Sequence, residues 1–344
     1  MSSDELCCII YTKIESEIKD KCMKRPNTSD VEFNTPFIRQ RADPYIFRHD
    51  NGTYYFTASV PEYDRIILRS ADTIKGLQTA YEQVIWYKHE SGDQGSHIWA
   101  PEIHYLNGCW YIYYAAGEQE NIWEIRPYVL QCTGPNPITD PWRELGRMKG
   151  SDEDLFTFQD FSLDATVFQH KKEFYMVWAE KTGTGKKISQ LYLSKMETPW
   201  KLSGEHILLS TPDYDWERKG FWVNEGPAVL KHGGRIYLTY SASDTGSDYC
   251  MGMLTIDETE DIMDPHAWKK YRKPVLSTDE AKHIYGPGHN SFVKGEDMVT
   301  DYCIYHGREY CVIEGNPLYD PNRHTMIMKM KWSKDGEPVF SFGV

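Results

Sequence analysis

The feature that most constrains this chain is a fivefold internal repeat. Five segments share one pattern: a short turn motif, a strand, a polar turn, then an aromatic-rich strand. The first runs Asp43-Pro44-Tyr45-Ile46, then Asp50-Asn51-Gly52 and Tyr54-Tyr55-Phe56-Thr57. The second runs Ala100-Pro101-Glu102-Ile103, then Tyr111-Ile112-Tyr113-Tyr114. Asp164-Ala165-Thr166-Val167, Glu225-Gly226-Pro227-Ala228 and His289-Asn290-Ser291-Phe292 open the remaining three. The leading positions 43, 100, 164, 225 and 289 are separated by steps of 57, 64, 61 and 64 residues. A tryptophan recurs near the end of four units, at Trp142, Trp200, Trp268 and Trp332. Aromatic periodicity of this kind marks a β-propeller. One such unit cannot bury both faces of its own sheet, so neighbours must stack around an axis. The expected fold is therefore all-β, a five-bladed β-propeller over residues 36–344. The alternative is an irregular sandwich. Residues 1–35 read as a helical extension, because Leu6, Ile9, Ile10, Ile14 and Ile18 keep helical spacing behind Ser2-x-x-Glu5.

Composition excludes some functions. The net charge of −13 opposes binding to a nucleic-acid backbone. No apolar run approaches the length of a membrane span, so no membrane partner is expected. The first residues carry no apolar stretch as long as a secretory signal requires. The eight cysteines show neither CxxC pairs nor zinc-site spacing. Read together, these features predict a cytoplasmic protein with no organic cofactor.

In a propeller the innermost strand of each blade lines the central channel, so residues leading those strands converge at one end of it. Here they are Asp43, Ala100, Asp164, Glu225 and His289. Acidic residues make up 51 of the 344, so three carboxyl groups in five positions exceed chance expectation. Crowded carboxyl groups raise one another's pKa. Glycoside cleavage needs such a set: one carboxylic acid to protonate the leaving oxygen, and one carboxylate to activate water or attack the sugar. Three acidic ligands around a cation are the alternative.

The motifs Arg41-Ala42-Asp43-Pro44-Tyr45, Trp99-Ala100-Pro101-Glu102, Asp164-Ala165-Thr166-Val167, Asn224-Glu225-Gly226-Pro227 and Gly286-Pro287-Gly288-His289 together resemble glycoside hydrolase family 43. The resemblance implies Asp43 as general base, Asp164 as the residue that tunes and orients the acid, and Glu225 as general acid. It also implies His289 beside a channel cation, calcium in many members. The stretches 61–65, 97–102 and 320–324 resemble the exo-acting α-1,5-L-arabinofuranosidases more closely. The chain ends too early to hold the C-terminal sandwich of many β-xylosidases, which favours an arabinose-containing glycan as partner, and the resemblance implies inversion as the outcome. A β-xylosidase, an endo-arabinanase and a non-catalytic glycan-binding propeller are the rivals. Trp99, Glu102, Trp178 and Phe37 are candidate sugar contacts, with core packing as the other reading of the three aromatic residues. Arg308 resembles a family arginine that reaches sugar hydroxyls.

Overall fold

The computed structural model describes residues 33, 35–183 and 187–342, so the expected helical extension falls almost wholly outside the described residues. The first blade comprises β1 (Ala42–Arg48), β2 (Tyr54–Ser59), β3 (Arg65–Ala71) and β4 (Gln83–Tyr87). The second holds β5 (Ser96–Leu106), β6 (Cys109–Gly117), β7 (Arg126–Cys132) and β8 (Arg143–Arg147). The third holds β9 (Ser162–His170), β10 (Glu173–Thr182), β11 (Ile188–Thr198) and β12 (Lys201–Ser210). The fourth holds β13 (Asn224–His232), β14 (Arg235–Ala242), β15 (Cys250–Asp257) and β16 (Lys269–Lys270). The fifth pairs β17 (Tyr285–Lys294), β18 (Asp301–Arg308) and β19 (His324–Lys329), followed by a ribbon of β20 (Lys331–Trp332) and β21 (Pro338–Val339). Every blade is an antiparallel meander in chain order. The five-bladed expectation holds.

Five apolar cores occupy the five junctions between blades. Ile66, Leu68, Ile112 and Leu130 join blades one and two, and Met176, Trp178, Tyr113 and Val129 join two and three. Leu191, Leu193, Leu238 and Leu254 fill the third junction, while Tyr237, Met253, Met326 and Met328 fill the fourth. Ile46, Phe56, Val293 and Ile304 close the ring between blades five and one. The recurrent tryptophans have a shared task. Trp142, Trp200, Trp268 and Trp332 each pack back into the junction with the preceding blade.

Closure uses the chain's leading segment. Phe37 and Ile38 donate their backbone N–H groups to the Thr325 carbonyl at 2.8 and 3.2 Å, and Thr325 N–H returns a bond to Ile38 at 2.9 Å. A segment ahead of blade one thus adds itself to the outer strand of blade five. Phe37 is buried there, with the ring of Phe33 packed edge-on against it. It is therefore a closure residue and not a sugar contact. Phe37→Ala should cost about 3–5 kcal/mol, the usual penalty for a buried aromatic. Thermal unfolding should show a lowered midpoint, while KM of the remaining folded enzyme stays unchanged. A raised KM with unaltered stability would contradict this placement.

Candidate active site

Each inner strand carries the same β-bulge, and the bulges aim the site residues. In blade one Ala42 pairs with Ser59 and Tyr45 with Thr57, so Asp43 and Pro44 together face Ala58. The same two-against-one step occurs at Ala100/Pro101, Asp164/Ala165, Gly226/Pro227 and His289/Asn290. The first residue of every bulge has a left-handed backbone, with φ of 52° at Asp43, 45° at Ala100, 54° at Asp164, 54° at Gly226 and 44° at His289. Proline suits the second position because the unpaired residue has no ladder bond to donate. Such a backbone costs of order 1–3 kcal/mol at a non-glycine residue. Its repetition at four of them points to a shared positional demand.

This register corrects one alignment. The position in blade four that matches Asp43 and Asp164 is Gly226, not Glu225. Glu225 comes from the residue before the bulge, in register with Ser241. The carboxyl groups still converge, but from two kinds of position.

Asp43, Asp164, Glu225, His289 and Trp99 all line one cavity of about 470 Å³ at the end of the channel. Asp43 and Asp164 are buried, whereas Glu225 is half-buried. Asp43 is the most tightly held. Its Oδ2 accepts from Ser59 Oγ at 2.6 Å, and its Oδ1 accepts from Arg323 Nη1 at 3.2 Å. His289 Nδ1 lies 3.4 Å from Asp43 Oδ1 and 3.8 Å from Asp164 Oδ2. Asp164 Oδ2 accepts the Gly226 N–H at 3.0 Å, which ties it to the strand carrying Glu225.

The environments pull the three carboxyl groups apart. Burial alone would raise the pKa of Asp43, but Arg323, His289 and His306 outweigh it and hold it well below the ordinary range. Burial lowers the pKa of both His289 and His306, the latter to about 3. The permanent charge facing Asp43 is therefore that of Arg323. Asp164 is raised by burial and by the charges of Glu225 and Asp43. Glu225 is raised to about 7, chiefly by burial, with Asp43 adding to it and Tyr249, Lys181 and Arg323 opposing. At neutral pH the cavity thus offers an ionised carboxylate and a carboxyl group poised to give up a proton, the pairing that acid–base catalysis requires.

Several candidates lie elsewhere. Trp178 is fully buried in the junction of blades two and three, where its indole N–H bonds Glu180 at 2.9 Å. Arg308 is only 1% exposed, and its guanidinium is consumed by Asp320, the Thr245 carbonyl and the Pro317 carbonyl. Glu102 is buried against His104, 3.0 Å away, and is outside the cavity wall. The arginine that does line the cavity is Arg323, whose Nη2 also bonds the Tyr63 hydroxyl at 2.8 Å. It stands within the stretch 320–324, so the signal was in the sequence but attached to the wrong side chain. Tyr249, Lys181, Trp123 and Trp222 also line the cavity, and none sits in a repeat motif.

His289 does not by itself make a calcium site. Among the described residues no three His, Cys, Asp or Glu side chains are grouped to hold one ion. A calcium ion takes six to eight oxygen ligands, and Asp43 already faces the Arg323 guanidinium. No step below depends on a metal.

The charge of Arg323 has a measurable consequence. Arg323→Gln should cost about 3–5 kcal/mol at pH 7, because it leaves a buried carboxylate uncompensated. In the native protein the lowered pKa of Asp43 contributes stability above the unfolded value of about 3.9, lost as pH falls through the folded value. In the variant burial raises that pKa instead, so protonation relieves the penalty. The gap in thermal midpoint between the two proteins should be wide at pH 7 and narrow toward pH 4. A gap independent of pH would show that Arg323 acts through packing alone.

Comparison with known proteins agrees with this geometry. The family model for glycosyl hydrolases family 43 matches residues 33–338. An extracellular exo-α-(1→5)-L-arabinofuranosidase of Streptomyces avermitilis is 47% identical over 319 residues, covering 93% of this chain and 65% of that protein. The chain thus spans about two-thirds of that relative's length. A protein of the same name from Streptomyces chartreusis is 48% identical, covering 83% of this chain and 85% of its own. The crystal structure of an α-L-arabinofuranosidase from Lactobacillus brevis superposes with a TM-score of 0.84 at 46% identity, over 91% of this chain and 97% of that one.

The two Streptomyces relatives overturn the cytoplasmic expectation, because both are named as extracellular proteins. The free cysteines among the described residues fit this. Cys132, Cys250 and Cys303 are buried in the blade cores or beside them, where a free thiol acts as a small apolar side chain. Among the described residues no helix is long and apolar enough to cross a membrane. On its motifs, its fold and the span of the family match, the chain belongs to glycosyl hydrolases family 43.

Proposed function

We propose that this protein is an inverting exo-acting α-L-arabinofuranosidase that releases terminal arabinofuranosyl residues from arabinan or its oligosaccharides. The observation that carries the reading is the convergence of Asp43, Asp164 and Glu225 on one cavity, with the Arg323 guanidinium bonded to Asp43. The names of the Streptomyces and Lactobacillus relatives support the choice of sugar. The cavity is walled by residues from all five blades: Asp43, Trp99 and Trp123, Asp164, Glu225, and Leu318 with Arg323.

In this mechanism Asp43 remains ionised and takes a proton from water as the oxygen attacks the anomeric carbon. Glu225 gives its proton to the departing glycosidic oxygen as the carbon–oxygen bond breaks. Burial, with the charge of Asp43, keeps the Glu225 proton in place until then, and Asp164 anchors the strand that carries the acid through the Gly226 N–H. Asp43 and Glu225 come from blades one and four, with His289 of blade five against Asp43. Inverting enzymes hold their two carboxyl groups about 6.5–9.5 Å apart to admit the water, against about 5–5.5 Å in retaining ones.

Aryl α-L-arabinofuranoside, aryl β-D-xyloside and linear arabinan separate the possibilities. Arabinose should be released from the first and the third, with little turnover of the second. Oligosaccharides appearing first from arabinan would favour an endo enzyme, and inertness toward all three would refute hydrolysis. The alkaline limb of kcat/KM should fall near pH 7, where Glu225 loses its proton. Asp43→Asn should reduce turnover ~10²–10⁴-fold. Glu225→Gln should reduce turnover of arabinan more than that of the activated aryl glycoside, whose leaving group needs less protonation. Equal losses on both substrates would contradict Glu225 as the acid.

A further inference from the structure

Tyr249 sits between the proposed acid and base in a seat built for its ring. It lies just ahead of β15, only 1% exposed, and its hydroxyl donates to Glu225 Oε1 at 2.9 Å. One face of the ring lies parallel to His306, with centroids 5.4 Å apart and 8° between planes. Gly288 lies beside the ring as well. A Cβ at that position would fall 2.4 Å from Tyr249 Cε1, so only glycine leaves the space. His306 in turn touches the base: its Nδ1 accepts the Asp43 backbone N–H at 3.1 Å and lies 3.1 Å from Asp43 Oδ1. Its Nε2 is buried without a hydrogen-bond partner among the described residues.

Burial and the charges of Glu225, Asp164 and Asp43 raise the pKa of the Tyr249 hydroxyl well above its usual value. It therefore stays protonated and acts as a donor wherever the enzyme works. A donor aimed at Oε1 bonds best to a carbonyl oxygen, the stronger acceptor of a neutral carboxyl group. The proton is thereby favoured on Oε2, which selects one of the two acid geometries.

We propose that Tyr249 is the positioning residue of the acid, holding Glu225 by Oε1 so that Oε2 presents the proton, and that stacking on His306 fixes it relative to Asp43. The inference rests on Glu225 being the acid. During the reaction the proton leaves Oε2 for the glycosidic oxygen, and the bond from Tyr249 strengthens as Oε1 gains charge. The hydrogen bond therefore favours the ionised form, and its loss must raise the pKa of the acid.

Two variants of the full chain test this. Tyr249→Phe keeps the ring and its stacking but removes the donor. The alkaline limb of its kcat/KM profile should move up by about half a unit or more, with kcat on arabino-oligosaccharide falling ~10–100-fold. An activated aryl arabinofuranoside should lose far less. His306→Phe keeps a ring face for Tyr249 and removes the nitrogen beside Asp43. Its alkaline limb should coincide with that of the wild type. An alkaline limb unmoved in Tyr249→Phe, or equal losses on both substrates, would overturn the proposal even if the thermal midpoint fell. An alkaline limb shifted in His306→Phe would show that stacking does not seat the tyrosine. Inactivity of the wild type would instead refute the acid assignment itself, so the two failures are distinguishable.

Discussion

The contact on which the rest of this molecule depends is the seam between its first and fifth blades. A propeller blade is stable only when both faces of its sheet are covered. Four junctions form as the chain meanders, but the fifth requires its two ends to meet. Here Phe37 and Ile38 bond the outer strand of blade five, and Ile46 and Phe56 pack on Val293 and Ile304. The same seam places Arg323, His306 and His289 of blade five against Asp43 of blade one. Ring closure and the ionisation of Asp43 are thus consequences of one interface.

Within the closed ring, backbone geometry does the aiming. Five left-handed bulges turn the inner strands at one level, so side chains that would have followed the pleat point into the channel instead. Electrostatics then separates groups that are chemically alike. Asp43 and Asp164 occupy equivalent bulge positions and are both buried, yet one is pushed down by Arg323 and the other up by its acidic neighbours. Two aspartates in matching places are shifted in opposite directions because only one of them meets a fixed cation.

Much of this was legible in the sequence because a repeat is a record of geometry. The leading residues, the five blades and the recurrent tryptophans follow from spacing and from the need to stack. What escaped lay off the repeat. Glu225 was aligned with Asp43 by its chemistry, whereas the bulge register belongs to Gly226, and only strand pairing reveals the offset. Trp178 and Phe37 carry the right chemistry for sugar stacking, but burial on both sides decides otherwise. Arg308 and Arg323 cannot be told apart by composition. Three partners hold Arg308 within blade five and its surrounding loops, while Arg323 reaches the cavity. Tyr249 lies outside every motif, and its role follows from a hydrogen bond and a stacked ring that no spacing encodes. Compartment is not legible in the cysteines, because buried thiols such as Cys132, Cys250 and Cys303 report packing and not redox environment.

In the proposed mechanism Asp43 acts as an ionised base on water while Glu225 delivers a proton, in a single displacement with no glycosyl-enzyme intermediate. Its most direct test is the anomeric configuration of the sugar at the moment of release. Proton NMR of the nascent product from an α-L-arabinofuranoside, followed before mutarotation equilibrates the anomers, should show β-arabinose first. Initial appearance of the α anomer would mean two displacements, and would contradict the account of how this cavity uses its carboxyl groups.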